Sequence, residues 1–191
     1  MSRLYYTIGN MRSGKSTLCT EWAKNKPMRT IVNSDSIRLA LTGKRYEPLA
    51  ETQVFAIKHI MIRALLERGF DVMVDGTHST EISIQRILEI DINAEEMPII
   101  TPLQECIERA NKTNQPDLIP SIYRVHKNLC ELGLYSADVI MSGIFLDIDY
   151  YPDGPLAKYL DTTRQLEANL KKIKQKVIDR NLYGKFGEAN G

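Results

Sequence analysis

Gly9-Asn10-Met11-Arg12-Ser13-Gly14-Lys15-Ser16 is the stretch from which the fold of this chain can be read. Two glycines bracket four residues, and Lys-Ser follows, which is the spacing of a Walker A loop. Before it, Leu4-Tyr5-Tyr6-Thr7-Ile8 reads as a buried strand. After it, Thr17-Leu18-Cys19-Thr20-Glu21-Trp22-Ala23-Lys24 is compatible with a helix. Strand, glycine loop and helix in that order form a cradle of backbone N–H groups that suits nucleotide phosphates. In such a cradle Gly9 to Ser16, with Thr17, contact the nucleotide. Lys15 reaches the outer phosphates as a point charge, and the Ser16 hydroxyl is a Mg²⁺ ligand.

Beyond the loop, strands and helices alternate. Strands are expected at Leu4–Ile8, Thr30–Asn33, Asp71–Val74, Glu96–Ile100 and Gly143–Ile148. Helices are expected at Leu49–Arg68, stopped by Gly69, and at Thr80–Ile90 with Thr80 as a cap. Two more are expected at Pro102–Asn111, with Thr101 as a candidate cap, and at Pro120–Leu132. The pattern predicts an α/β fold of the P-loop kinase type. It would have a parallel sheet of about four to five strands with helices on both faces. The polar segment Asn111–Pro120 reads as a mobile loop. Residues 1–150 are expected to form the kinase domain. Residues 151–191 form a C-terminal helical extension, packed on that domain or projecting from it. Its helix, Leu156–Leu182, has Leu160, Leu166, Leu170, Ile173, Val177 and Ile178 as an apolar stripe. Lys171, Lys172, Lys174 and Lys176 read as a solvated face rather than a nucleic-acid patch.

Composition bounds the function. The chain has 191 residues, 43% apolar and 26% charged, which suits one soluble domain with a full core. A net charge of +1 implies no global basic field, though a local basic groove is compatible with it. Cys19, Cys106 and Cys130 are far apart and lack metal-site spacing, so a reduced, cytoplasmic setting is expected. No apolar run reaches the roughly eighteen residues of a membrane span, and the first strand starts too early for a signal peptide. The sequence is compatible with a homo-oligomer.

Three further segments carry chemistry. In sheets of this class ligands bind beyond the carboxyl ends of the strands, and each segment falls there. Asp35, after the second strand, can accept the proton of an attacking hydroxyl, or cap the next helix; Ser34 is an alternative cap. Arg38 shares a helix face with Asp35 and reads either as a surface ion pair or as a clamp on an anionic acceptor. Asp75 ends the third strand. It can organise Mg²⁺ or its waters, or position the acceptor or Asp35. Thr77 and His78 are read as facing the same crevice, His78 as a polar lining group rather than a base. Arg109 closes a helix before the polar loop. There it either stabilises charge on a transferring phosphoryl group from a lid or complements the helix dipole.

Gly9–Ser16, Asn33–Arg38, Asp75–Thr77, Arg109 and Ile119–Arg124, in this order, resemble the kinase domain of phage-type 5′-hydroxyl polynucleotide kinases. The resemblance covers roughly residues 3 to 132. It implies an ATP- and Mg²⁺-dependent enzyme in a cytoplasm, the host's if phage-encoded, acting on the 5′-OH end of a nucleic acid. It implies Asp35 as general base, Arg38 on the acceptor's 3′-phosphate and Arg109 on the ATP phosphates. Related small kinases share the Asp-x-x-Arg element. A nucleotide, a hydroxymethylated base in phage DNA or a small metabolite are therefore alternative acceptors. A non-catalytic nucleotide-binding module is a further alternative, against which the positioned Asp35 argues, as does the lack of an Asn-Lys-x-Asp guanine motif. The sequence departs from the family at Thr113, where a second lid arginine is usual and for which Lys112 is a candidate substitute. It departs again at His78, where the family has Asn. Phe145–Asp149 resembles the start of a phosphatase domain, but Tyr150-Tyr151-Pro152 replaces its Gly-Thr turn, so no phosphatase activity is expected.

Overall fold

The computed structural model describes residues 2–44, 47–134 and 156–187, with side chains from 165 to 181 in the last helix. The chain runs β1 (Leu4–Gly9), α1 (Lys15–Ala23), β2 (Arg29–Asn33), α2 (Ser34–Thr42), α3 (Glu51–Glu67), β3 (Asp71–Asp75), α4 (Glu81–Leu88), β4 (Glu95–Ile99), α5 (Leu103–Lys112), α6 (Ile119–Glu131) and α7 (Leu156–Gly187). Short 3₁₀ turns at Pro48–Ala50 and Pro116–Leu118 lead into α3 and α6.

The four strands form one parallel sheet in the order β2-β3-β1-β4. Its register sets Asn33 opposite Asp75 and Gly9 opposite Ile99, so the carboxyl ends of the strands lie level. Successive side chains on a strand point to opposite faces. Val72, Met73 and Val74 are each at most 1% exposed, which requires both faces of the sheet to be covered. The edge strand β4 is the exposed one and carries Pro98, a residue that sheets tolerate at an edge. The expected strand at Gly143–Ile148 and the phosphatase-like Phe145–Asp149 lie outside the described residues.

One core joins the inward residues of β1, β2 and β3 to Val54 and Ile62 of α3, Ile84 and Ile87 of α4, and Leu129 of α6. Leu166, Leu170, Ile173 and Val177 of α7 belong to it too, so these four residues of the predicted stripe pack on the α/β unit; the side chain of Leu160 lies outside the described residues. A smaller cluster of Cys106, Ala110 and Ile122 joins α5 to α6, with Met11 of the glycine loop against both.

Several local expectations change. Segment 111–120, read as a mobile loop, is instead the end of α5, a 3₁₀ turn and the start of α6. Thr101 does not cap α5: Pro102 holds the cap position, and the Thr101 hydroxyl donates to the Ser13 carbonyl at 2.9 Å. Neither Asp35 nor Ser34 caps α2. That role falls to Asn33, whose Oδ1 accepts from the Ser36 N–H at 2.9 Å.

Candidate functional site

Sequence chemistry shapes the loop after β1. A Cβ on Gly9 would lie 2.8 Å from the Ile99 carbonyl, so only glycine lets β1 and β4 approach this closely. Gly14 has φ 100°, a left-handed conformation that glycine adopts without steric cost. It stands at the start of α1 with no side-chain cap, so the first N–H groups of the helix remain available to an anion. Lys15 is 7% exposed, and its ammonium donates to the Asn10 carbonyl, with Ser13 Oγ at 3.4 Å. Burial pulls its pKa down, while Asp75 and, more weakly, Asp35 oppose the shift. Beside this loop is a cavity of about 690 Å³, lined by Lys15, Ser16, Thr17, Glu21, Arg109 and Thr113 among others. That volume lies within the range of small-molecule sites.

At the end of β3, Asp75 is 7% exposed. Its Oδ2 accepts from the Ser16 hydroxyl at 2.8 Å and from the Asn33 amide at 2.9 Å. Asn33 thus caps α2 with its oxygen and steadies Asp75 with its nitrogen. Its role was legible only as a letter in the family pattern, because the Asn33–Asp75 pairing depends on strand register. The hydroxyl and carboxylate side by side are hard oxygen donors that fit Mg²⁺ arriving with nucleotide phosphates. Among the described residues no group of three His, Cys, Asp or Glu side chains could hold a metal by itself. Buried Asn10 Nδ2 and Arg12 Nε have no hydrogen-bond partner among the described residues, as befits a cradle shaped for an anion.

Asp35 and Arg38 form the other wall. The Asp35 side chain is 73% exposed and accepts from Arg38 Nη1 at 2.6 Å. Arg38 is buried, and its Nε donates to Glu51 Oε1 at 2.6 Å. Glu51 first, then Asp35, raises the Arg38 pKa, so the guanidinium is permanently cationic. Glu51 was absent from the sequence reading. It lies thirteen residues from Arg38, beyond any helical spacing, and only the packing of α2 on α3 brings the two together.

Arg109 donates to the Arg12 carbonyl at 3.1 Å and pairs with Glu105 one turn back on α5. It therefore stands against the glycine loop. Thr77 contributes its carbonyl, which accepts the Gly9 N–H at 3.1 Å. His78 corrects the expectation of a crevice-lining group. It is 6% exposed, its Nδ1 lies 2.7 Å from the Thr7 carbonyl, and its ring packs edge-on against Tyr6. Burial lowers its pKa to about 4, so the ring is neutral and donates to Thr7 from Nδ1. It fastens the turn after Asp75 to β1.

A protein-family profile described as an AAA domain matches residues 4–115, more than half of the chain. The chain belongs to this family. No curated protein matches the sequence. Among solved structures, a chain of the "Pnkp1/Rnl/Hen1 RNA repair complex" is 21% identical with a TM-score of 0.60, covering 68% of this chain and 44% of its own length. A chain of a second "Pnkp1/Rnl/Hen1 complex" structure is 24% identical with a TM-score of 0.53, the coverage being 56% and 38%. The AAA domain described here thus spans less than half the length of either. The likeness establishes a shared α/β P-loop fold. Among the described residues no helix is long and apolar enough to cross a membrane.

Proposed function

We propose that this AAA domain is a kinase that transfers the γ-phosphoryl group of ATP to a hydroxyl, with the 5′-OH end of a nucleic acid as acceptor. The observation that carries the reading is the pairing of exposed Asp35 with buried Arg38 on the same sheet edge as Lys15 and the Ser16–Asp75 pair. A nucleotide-binding module has no need of an exposed carboxylate anchored next to a fixed cation. A phosphotransferase uses both, the carboxylate to take a proton and the cation to hold an anionic acceptor. Fold likeness to chains of an RNA repair complex supports a polynucleotide acceptor.

In this reading Asp35 accepts the proton of the acceptor hydroxyl as that oxygen bonds to the γ-phosphorus. The bond from phosphorus to the β–γ bridging oxygen breaks, and ADP leaves with that electron pair. Lys15 and the backbone N–H groups of the loop hold the β- and γ-phosphates, and Arg109 offsets the charge that develops on the transferring group. Ser16 and Asp75 would hold Mg²⁺, which supplies further charge neutralisation when bound. Arg38 fixes the 3′-phosphate next to the accepting hydroxyl, so catalysis is mostly positioning and electrostatics.

Labelled ATP against 5′-OH oligonucleotides, nucleoside 3′-phosphates, nucleosides, nucleotides and hydroxymethylated duplex DNA tests the proposal. The wild type should label the oligonucleotide and the 3′-phosphate. Lys15→Ala should abolish transfer. Asp35→Asn should bind ATP normally and lose about 10²- to 10⁴-fold in turnover. Arg38→Ala should impair 3′-phosphorylated acceptors far more than nucleosides. Equal impairment would refute the acceptor assignment, and slow ATP hydrolysis alone across the panel would refute the kinase.

A further inference from the structure

Apart from Lys15, Arg12 is the charged residue of the glycine loop, and the chemistry above leaves its side chain unused. Its backbone has φ 64°, a left-handed conformation in which glycine would be the unstrained choice. An arginine kept at such a position points to a task for its side chain. The guanidinium reaches across the mouth of the cradle to the end of α5. There Nη2 donates to Thr113 Oγ1 at 2.7 Å and to Gln115 Oε1. Both acceptors are neutral, and Nε is buried with no hydrogen-bond partner among the described residues. This half-buried cation is held by neutral oxygens with its buried Nε unused, so it has a donor to offer an anion. Its own carbonyl accepts from Arg109 Nη1, which sets the Arg109 guanidinium against the Arg12 backbone. Arg12, Lys15 and Arg109 line the same cavity.

We infer that Arg12 contacts the terminal phosphate of the donor and acts with Arg109 as a paired cationic clamp, with Thr113 and Gln115 as the resting perch from which it moves. The inference rests on the nucleotide-binding half of the kinase reading and is independent of the acceptor. Arg109 is already paired with Glu105 whereas Arg12 has only neutral partners, so a negatively charged ligand gains a new ion pair at Arg12. A Walker A lysine reaches the outer phosphates, and Arg12 and Arg109 line the same cavity as Lys15.

The affinities of ADP and of a non-hydrolysable ATP analogue are to be measured calorimetrically on the whole chain, without acceptor. Arg12→Gly deletes the side chain and suits the backbone, so it should fold as the wild type does. It should weaken the ATP analogue by about tenfold to a hundredfold, as expected for a charge-assisted contact, and leave ADP within about twofold. Thr113→Val removes one of the two acceptors of the perch and should leave both affinities close to wild type. Equal weakening of both nucleotides by Arg12→Gly would overturn the inference, because the residue would then be a brace of the loop or a contact to the inner phosphates. Unchanged affinities would overturn it as well. Failure of the wild type to bind either nucleotide would instead refute the kinase reading itself.

Discussion

His78 illustrates how a polar residue beside a site can serve the fold alone. It has φ 37°, is buried, and offers one nitrogen to the Thr7 carbonyl. Its folded pKa of about 4 lies below the ordinary 6.5. Between those values the unfolded chain binds a proton that the folded chain refuses, so stability falls as pH falls through this window. The loss from this residue is about 1–2 kcal/mol between pH 7 and pH 5. Asn tolerates the left-handed conformation and can carry its amide nitrogen to the same carbonyl. His78→Asn should therefore fold and retain activity while flattening the decline, checked by thermal unfolding across pH. An unchanged pH profile would assign the decline to other groups; His59 and His126 are also shifted down by burial. Cys19 and Cys106 are likewise quiet residues, their thiols pushed up to about 12 and about 11 by burial. Neither is a nucleophile near neutral pH.

At the scale of elements, the wall proposed to hold the acceptor depends on α2 and α3 acting as a pair. Arg38 on α2 is buried, while its Asp35 partner is largely exposed. Glu51, in the first turn of α3, fixes the Nε edge of the guanidinium and leaves the orientation defined. Glu51→Ala should raise the KM for a 3′-phosphorylated acceptor by roughly tenfold and leave the KM for ATP unchanged. Glu51→Gln, which can still accept the Nε–H, should recover most of that loss. Steady-state kinetics with both substrates varied checks this, and a matching rise in the KM for ATP would count against it. Helix α5 is tied to the glycine loop in a similar way. Thr101 ties the start of α5 to Ser13, while Thr113 and Gln115 tie its end to Arg12.

At the scale of the molecule, α7 completes the core rather than trailing from it. Asn169 donates to the Leu132 carbonyl at 2.9 Å, and Lys176 pairs with Glu81 of α4 at 2.7 Å. Ile173 is 3% exposed inside the shared cluster. Ile173→Ala should destabilise the whole chain by about 2–5 kcal/mol, the usual range for such a cavity. Urea unfolding should remain a single transition at a lower midpoint. A separate early transition would show that residues 151–191 unfold as an independent extension.

Much of this architecture could be read from local pattern. The loop Gly9–Ser16 announces a phosphate cradle because its residue types and spacing form a local pattern, although the steric need for Gly9 comes from Ile99 across the sheet. Strand β3 and helices α3, α4 and α6 are legible because hydrophobic periodicity is local as well. The carboxylates Asp35 and Asp75 could be placed on one sheet edge, since a parallel sheet aligns the ends of its strands. What chain order could not convey is which side chain meets which. Asn33 on Asp75 depends on strand register, Glu51 on Arg38 depends on two helices packing, and Arg12 on Thr113 spans 101 residues. His78 was misplaced because a polar residue after a site strand reads the same whether its ring turns to the crevice or to Thr7. Backbone geometry and the packing of Tyr6 decide that, and both belong to the tertiary structure. The sequence by itself determined a phosphate-binding α/β protein with two carboxylates at one edge. The tertiary structure decided which partners hold those groups in place, because hydrogen bonds and ion pairs form across distances in the chain that no local pattern encodes.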